Sequence, residues 1–260
     1  MTPGLSPADL LVPALPGQSP RVKALQTLRH GGVSAAPYGD GQGGGGLNLG
    51  THVGDDPAQV AANRALLRAM LSAEPLWLSQ VHGSRVVHAA DAAEGCEADA
   101  VIADRPGLVC AIMTADCLPV LFADDAGRVV GAAHGGWRGL AGGVLENTVA
   151  AMRAAGARQI SAWLGPAIGP RRFEVGAEVR EAFLRRDAAA AAAFVESEGG
   201  PEKYLADIYA LARLALAAQG INAVSGGGFC TVEEARRFYS YRRDRVTGRM
   251  ASLIWIEPQA

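Results

Sequence analysis

The sequence predicts an α/β fold of mixed α+β character, a single layered domain with a central mixed β-sheet core flanked by helices. Three observations lead there. The runs Leu108–Thr114, Pro119–Ala123 and Val129–Ala133 are apolar on both faces, the pattern of strands covered on each side. Segments with helical apolar spacing alternate with such runs. No linker composition and no internal repeat divides the chain.

Each element has a local reason. Pro3, Pro7, Pro13, Pro16 and Pro20 interrupt the start, so 1–23 reads as a loose Pro-rich lead-in and 24–260 as a single catalytic domain. Ala24–Arg29 is a first strand. His30–Gly54 is a long irregular stretch, and a loop of that length inside a compact domain points to function. Its run Gly43–Gly46 is no phosphate-binding P-loop, because no Gly-Lys-Ser/Thr follows, and it reads as a surface insertion. Asp56-Pro57 starts a helix that runs to Ser72, with an N-cap carboxylate and Pro at the first position. Strands follow at Leu76–Gln80, Arg85–Ala90 and Ala100–Ala103, then the three strong runs. A helix spans Ala141–Ala155, with Gly156 beyond it. Gln159–Leu164 is a strand, and Glu178–Leu184 and Ala188–Ala193 are helical. Lys203–Gln219 carries Leu205, Ile208, Leu211, Ala212, Ala215 and Leu216 as one stripe, which predicts a helix. Ala223–Phe229, Phe238–Arg242 and Ala251–Ile256 close the chain as strands.

Composition excludes several functions. Hydrophobic residues at 49% rule out a disordered chain. Lys plus Arg is 24 and Asp plus Glu is 26, a net charge of −2 that offers no field for nucleic acid or an anionic membrane. No basic segment followed by an apolar run marks a secretory signal, and no stretch approaches a membrane span. The four cysteines, Cys96, Cys110, Cys117 and Cys230, form no disulfide framework, so a reduced cytoplasmic setting is expected.

The chemistry concentrates at strand ends. His82 lies in Ser79-Gln80-Val81-His82-Gly83, Cys117 in Thr114-Ala115-Asp116-Cys117-Leu118-Pro119, and His134 in Ala133-His134-Gly135-Gly136-Trp137-Arg138-Gly139. Two imidazoles and a thiol suit zinc or another borderline-soft ion, with one position left open. The same atoms also suit a Cys117 nucleophile with His134 as base and Asp116 or another group orienting the ring. Arg138, after two glycines and an indole, suits a phosphate or carboxylate. Alternation in Tyr239-Ser240-Tyr241-Arg242-Arg243-Asp244 would put Tyr239, Tyr241 and Arg243 on one face.

Taken together, Arg29-His30-Gly31-Gly32-Val33-Ser34, Leu47-Asn48-Leu49-Gly50, Asn63-Arg64, Gln80-Val81-His82-Gly83, the Cys117 and His134 segments, Gly165-Pro166-Ala167-Ile168 and Ser240-Tyr241-Arg242-Arg243-Asp244 resemble the YfiH-type family. That family has been described both as multicopper polyphenol oxidoreductase (laccase) and as purine nucleoside phosphorylase, and it includes the peptidoglycan editing factor. The likeness covers about Leu25 to Ile256. It implies a layered fold shared with the deamidase domain of cytotoxic necrotizing factor. It also implies one metal site at His82, Cys117 and His134, usually zinc and possible for copper. The implied activity is phosphorolysis of adenosine, inosine and methylthioadenosine, with adenosine deamination, on small-molecule nucleoside and phosphate. On that reading Cys117, His134, Asp116 and Arg138 are catalytic, with Asp116 as proton shuttle. Asn48, Arg138 and Arg243 then bind substrate. Two departures stand out: Gly135 where the family has Ala, and a loop lengthened by Gly39–Gly46. The family's laccase label meets a count. Five histidines with no His-x-His pair are too few for a blue copper and a three-copper cluster, so a multicopper mechanism is rejected. A cysteine amidase acting on cell-wall precursors and a polyphenol oxidase with copper in the one site are the alternatives.

Overall fold

The computed structural model describes residues 4–258. Along the chain run β1 (Leu10–Leu11), β2 (Val22–Thr27), β3 (His30–Ser34), α1 (Pro57–Arg68), β4 (Pro75–Leu76), β5 (Val86–His88), β6 (Ala100–Ala103) and β7 (Val109–Thr114). Next come β8 (Leu118–Asp124), β9 (Val130–Gly135), α2 (Trp137–Ala141), α3 (Val144–Ala154), β10 (Ile160–Leu164), β11 (Glu174–Gly176) and α4 (Ala177–Leu184). The chain ends with β12 (Phe194–Glu196), β13 (Lys203–Ala206), α5 (Ile208–Ala218), β14 (Val224–Gly226), α6 (Tyr241–Asp244) and β15 (Met250–Ile256).

Two mixed sheets stack face to face. The first has the order β1-β2-β15-β7-β4 and the second β14-β10-β8-β9-β6-β5. Most neighbours are antiparallel; β4 with β7, β5 with β6 and β10 with β14 are parallel. Period-two alternation explains the stacking. In β7, Cys110 and Ile112 join the core between the sheets, while Val109, Ala111 and Met113 pack on the side that holds Leu67 of α1. In β8, Leu121 and Ala123 face the first sheet, and Leu118, Val120 and Phe122 face a core built with α2 to α5. The layers therefore run α1, first sheet, second sheet, remaining helices. A third, small sheet, β11-β13-β12, packs against α4 in the chain's second half. Among the described residues no helix is long and apolar enough to cross a membrane.

Several elements differ from the sequence reading. Lys203–Gln219 is not one helix. Lys203–Ala206 is a strand, and Asp207 then caps α5 by accepting from the N–H groups of Tyr209 and Ala210. Leu205 fits both a helical and a strand period, so the stripe overran the cap. The helix expected over 141–155 starts only at Val144, because Gly143 takes φ +88 at the start of α3, and the short α2 that ends at Ala141 is a separate helix. Phe238–Arg242 is not a strand. Ser240 caps the short α6 by accepting from Arg243 N, which leaves Tyr239 buried and Tyr241 exposed. The long loop contains β3, and bridges join His30 and Ser34 to Gly46. Gly46 packs there against the backbone of Tyr38 and Gly39 and the Tyr239 hydroxyl, leaving no room for a side chain. In the lead-in, Pro7–Asp9 form a 3-10 turn and β1 pairs with β2.

Asp207→Ala removes two cap hydrogen bonds. It should lower stability by about 1 kcal/mol, read as a lower urea midpoint with an unchanged m-value.

Candidate functional site

The chain passes from the first sheet to the second at two places, and both passages carry a soft ligand. Residues 115–117 connect β7 to β8, and Cys117 closes that turn after Asp116 at φ +91. The loop from β4 to β5 carries His82 at φ +60. His134 stands near the end of β9, paired with Pro119 of β8. The seam between the sheets therefore gathers residues that are 35 and 17 positions apart in sequence. One ligand atom from each of the three lies within 4.8 Å of the others. Cys117 Sγ is 3.7 Å from His82 Nε2, and the two imidazole rings meet edge-on with centroids 4.7 Å apart.

A residue the sequence reading missed holds this cluster. Asp99 is fully buried. His134 Nδ1 donates to its Oδ1 at 2.8 Å. The direction follows from chemistry, since an ionised carboxylate can only accept. His134 Nε2 is thereby left as the free ligand atom. The same carboxylate accepts from the backbone N–H groups of Val81, His82 and Gly83 at 3.2, 2.9 and 2.7 Å. Burial alone would push Asp99 up. The His134 bond and the N–H groups overcome it and hold the carboxyl below its ordinary value. Gln80 clamps the other side of the loop, with its amide bonded to both N and O of Met113 at 2.8 Å.

Shape and charge agree with a ligand-binding role. A Cβ on Gly136 would lie 2.7 Å from His82 Cδ2 and 3.3 Å from Cys117 Sγ, so only glycine leaves the cluster open. Burial raises the Cys117 thiol, but His134 and His82 outweigh it and favour the thiolate. Burial likewise opposes charge on His134, and the Cys117 thiolate and Asp99 reverse that. The donor set of one thiolate and two imidazoles fits zinc or copper.

The cluster lies in a cleft of about 830 Å³ whose wall includes Arg64, Arg249, His52 and Trp77. That size is typical of small-molecule sites, roughly 300–1,000 Å³. Several expected site residues lie elsewhere. Arg138 is exposed, stacks on Trp137 at 4.5 Å and does not line the cleft. Asn48 is fully buried and bonds Gly50 and Arg249 rather than facing the cleft. Arg243 donates to Thr231, Val232 and Phe238 carbonyls and to Asp244, and lines a separate hollow beside the Gly-rich loop. Asp116 accepts from Thr231 Oγ1 and Arg242 N at 2.6 Å each, so its carboxylate ties loops together, and Asp99 is the carboxylate that orients His134. Arg64 was visible in the Asn63-Arg64 pair, but no local pattern marked Arg249 or Asp99.

Comparison with known proteins accords with this geometry. A family model described as multi-copper polyphenol oxidoreductase laccase matches residues 23–257. The chain is 54% identical over 237 residues to a purine nucleoside phosphorylase of Pseudomonas aeruginosa, covering 91% of this chain and 94% of that one. It is 52% identical over 252 residues to purine nucleoside phosphorylase YfiH of Escherichia coli, covering 96% and 99%. A crystal structure of a Neisseria meningitidis protein superposes with a TM-score of 0.89 at 48% identity, covering 96% of this chain and 100% of that one. The chain belongs to the YfiH family, the one described as multi-copper polyphenol oxidoreductase laccase.

Proposed function

We propose that this chain is a purine nucleoside phosphorylase that acts on adenosine, inosine and methylthioadenosine, deaminates adenosine as well, and works with one zinc ion. The observation that carries the reading is a three-ligand cluster in the same small-molecule cleft as two arginines. Relatives named purine nucleoside phosphorylase support it at 52–54% identity over nearly the whole chain.

His82, Cys117 and His134 are the residues that would hold the ion, with copper as the alternative occupant. When bound, the metal supplies Lewis acidity and an acidified water. The chain's own residues supply the rest. Asp99 fixes His134 in the Nδ1–H tautomer and holds the His82 loop. The cleft orients nucleoside and phosphate for attack at the anomeric carbon. The new C–O bond forms as the C–N bond breaks, and the base leaves with the electron pair and takes up a proton. One three-ligand cluster of this kind occurs among the described residues, too few ligands for a multicopper oxidase. Polyphenol oxidation by copper in this one site is thus the lesser reading. A further reading, amide hydrolysis on cell-wall precursors with Cys117 as nucleophile, is favoured by the Asp99–His134 pair beside a thiol held as thiolate.

Metal-replete protein given adenosine and phosphate should release adenine, ribose 1-phosphate and inosine. Cys117→Ala should lose both bound metal, by elemental analysis, and turnover; full turnover in that variant would overturn the metal-site reading. Asp99→Asn should weaken metal affinity by about 10–100-fold, measured by chelator competition. Alkylation separates the nucleophile reading. A metal-bound Cys117 should resist iodoacetamide until chelator is added, whereas a nucleophile should label at once. In the metal-free chain the thiol's lowered pKa keeps the thiolate above that value, so labelling should stay fast at pH 7 and decline only in acid. Cys110, raised by burial, should not label in the folded chain.

A further inference from the structure

We infer that Arg249 and Arg64 form the oxyanion subsite of the cleft and hold the inorganic phosphate co-substrate, and that Asn48 is the positioning residue that sets Arg249. The inference rests on the phosphorolytic reading above and names where its second substrate binds.

Both guanidinium groups line the same cleft as His82, Cys117 and His134. Arg249 has no carboxylate partner among the described residues. Its Nη1 donates to the Thr247 and Gly248 carbonyls at 3.1 Å. Arg64 donates through Nε to the Leu49 carbonyl at 3.0 Å, and its nearest carboxylate, the exposed Glu94, stands 3.9 Å away. Other arginines are matched more fully, such as Arg243 with Asp244 at 2.7 Å and Arg237 with Glu234 at 2.6 Å. Two part-buried, under-neutralised guanidinium groups in one cleft are a dianion receptor, because their planar forks suit phosphate oxygens. Desolvation, then the fields of Arg249 and Arg64, push His52 below its ordinary value, which leaves the positive charge of this wall to the two guanidinium groups.

A second observation points the same way. Trp77, only 4% exposed, lies under the Arg64 guanidinium at 4.3 Å, and its indole N–H has no acceptor in the protein. The buried indole face therefore holds the Arg64 guanidinium in place on the cleft wall.

One short motif holds both cations. Asn48 Oδ1 accepts from Arg249 N at 2.8 Å and from Gly50 N at 3.0 Å. Leu49 N donates to the Arg249 carbonyl at 3.1 Å, while Leu49 O receives Arg64 Nε. A Cβ on Gly50 would lie 2.8 Å from Arg249 Cγ, so the arginine stem packs directly on the backbone there. Leu47-Asn48-Leu49-Gly50 is therefore a bracket for the two guanidinium groups, and Asn48 acts through Arg249 rather than on substrate.

The test titrates inorganic phosphate into metal-loaded, full-length protein by calorimetry and measures steady-state kinetics in parallel. Arg249→Met and Arg64→Met should each weaken phosphate binding about tenfold or more, the loss expected for a charge-assisted pair. KM for phosphate should rise accordingly, and by a larger factor than KM for nucleoside. Arg249→Lys, which keeps the charge and guards against a folding defect, should fall between. Asn48→Ala should raise KM for phosphate without changing KM for nucleoside, whereas a general structural role would move both. Glu94→Gln should tighten phosphate by removing a competing carboxylate. Wild-type protein that does not bind phosphate, or Arg249→Met that binds it normally, overturns the subsite. Wild-type protein that binds phosphate but cleaves no nucleoside overturns the phosphorylase reading and leaves the subsite standing.

Discussion

The buried Asp99 carboxylate is the constraint on which the rest of the site depends. An ionised carboxylate without water is stable only when its lone pairs are filled. Here three successive backbone N–H groups and one imidazole fill them. Removing one partner of such a buried pair typically costs about 3–5 kcal/mol. That dependence runs in both directions. Asp99 needs the 81–83 loop in its present shape, and His82 can hold φ +60 because the carboxylate binds the loop's backbone. The single contact therefore aligns a ligand on one loop with a ligand on one strand.

The two-sheet stack explains why this contact lies where it does. Asp99 stands just before β6, whose pairing with β9 aligns Ala100 with Ala133. The Asp99 carbonyl accepts from His134 N at 2.7 Å, so backbone and side chain of one residue meet backbone and side chain of the other. The β7–β8 turn brings Cys117 from the opposite sheet. A rigid strand thus supplies His134, the tight β7–β8 turn supplies Cys117, and a clamped loop supplies His82. Gly136, held between both rings and the sulfur, keeps that junction open.

Much of this was legible along the chain. The central strands β7, β8 and β9 were visible because each is apolar on both faces, and α1 because Asp56-Pro57 is a strong start signal. The three ligand residues stood out as two imidazoles and a thiol at the ends of predicted strands. The misreadings have local causes. Leu205 satisfied two periods at once, and the Tyr239–Arg243 alternation was too short to outweigh a Ser240 cap. Arg138 attracted attention through its neighbours, yet it points to solvent, whereas Arg249 sits in an unremarkable stretch and reaches the cleft.

By itself the sequence determined the layer composition, the ligand types and the absence of enough histidines for a multicopper centre, because residue identity and short-range period decide those. Only the tertiary structure decided which carboxylate orients His134, which arginines share the cleft, and that Asn48 serves Arg249. Those are pairings between residues 35 to 201 positions apart. Nothing local encodes such a meeting; it follows from the register of two stacked sheets and the turns that join them.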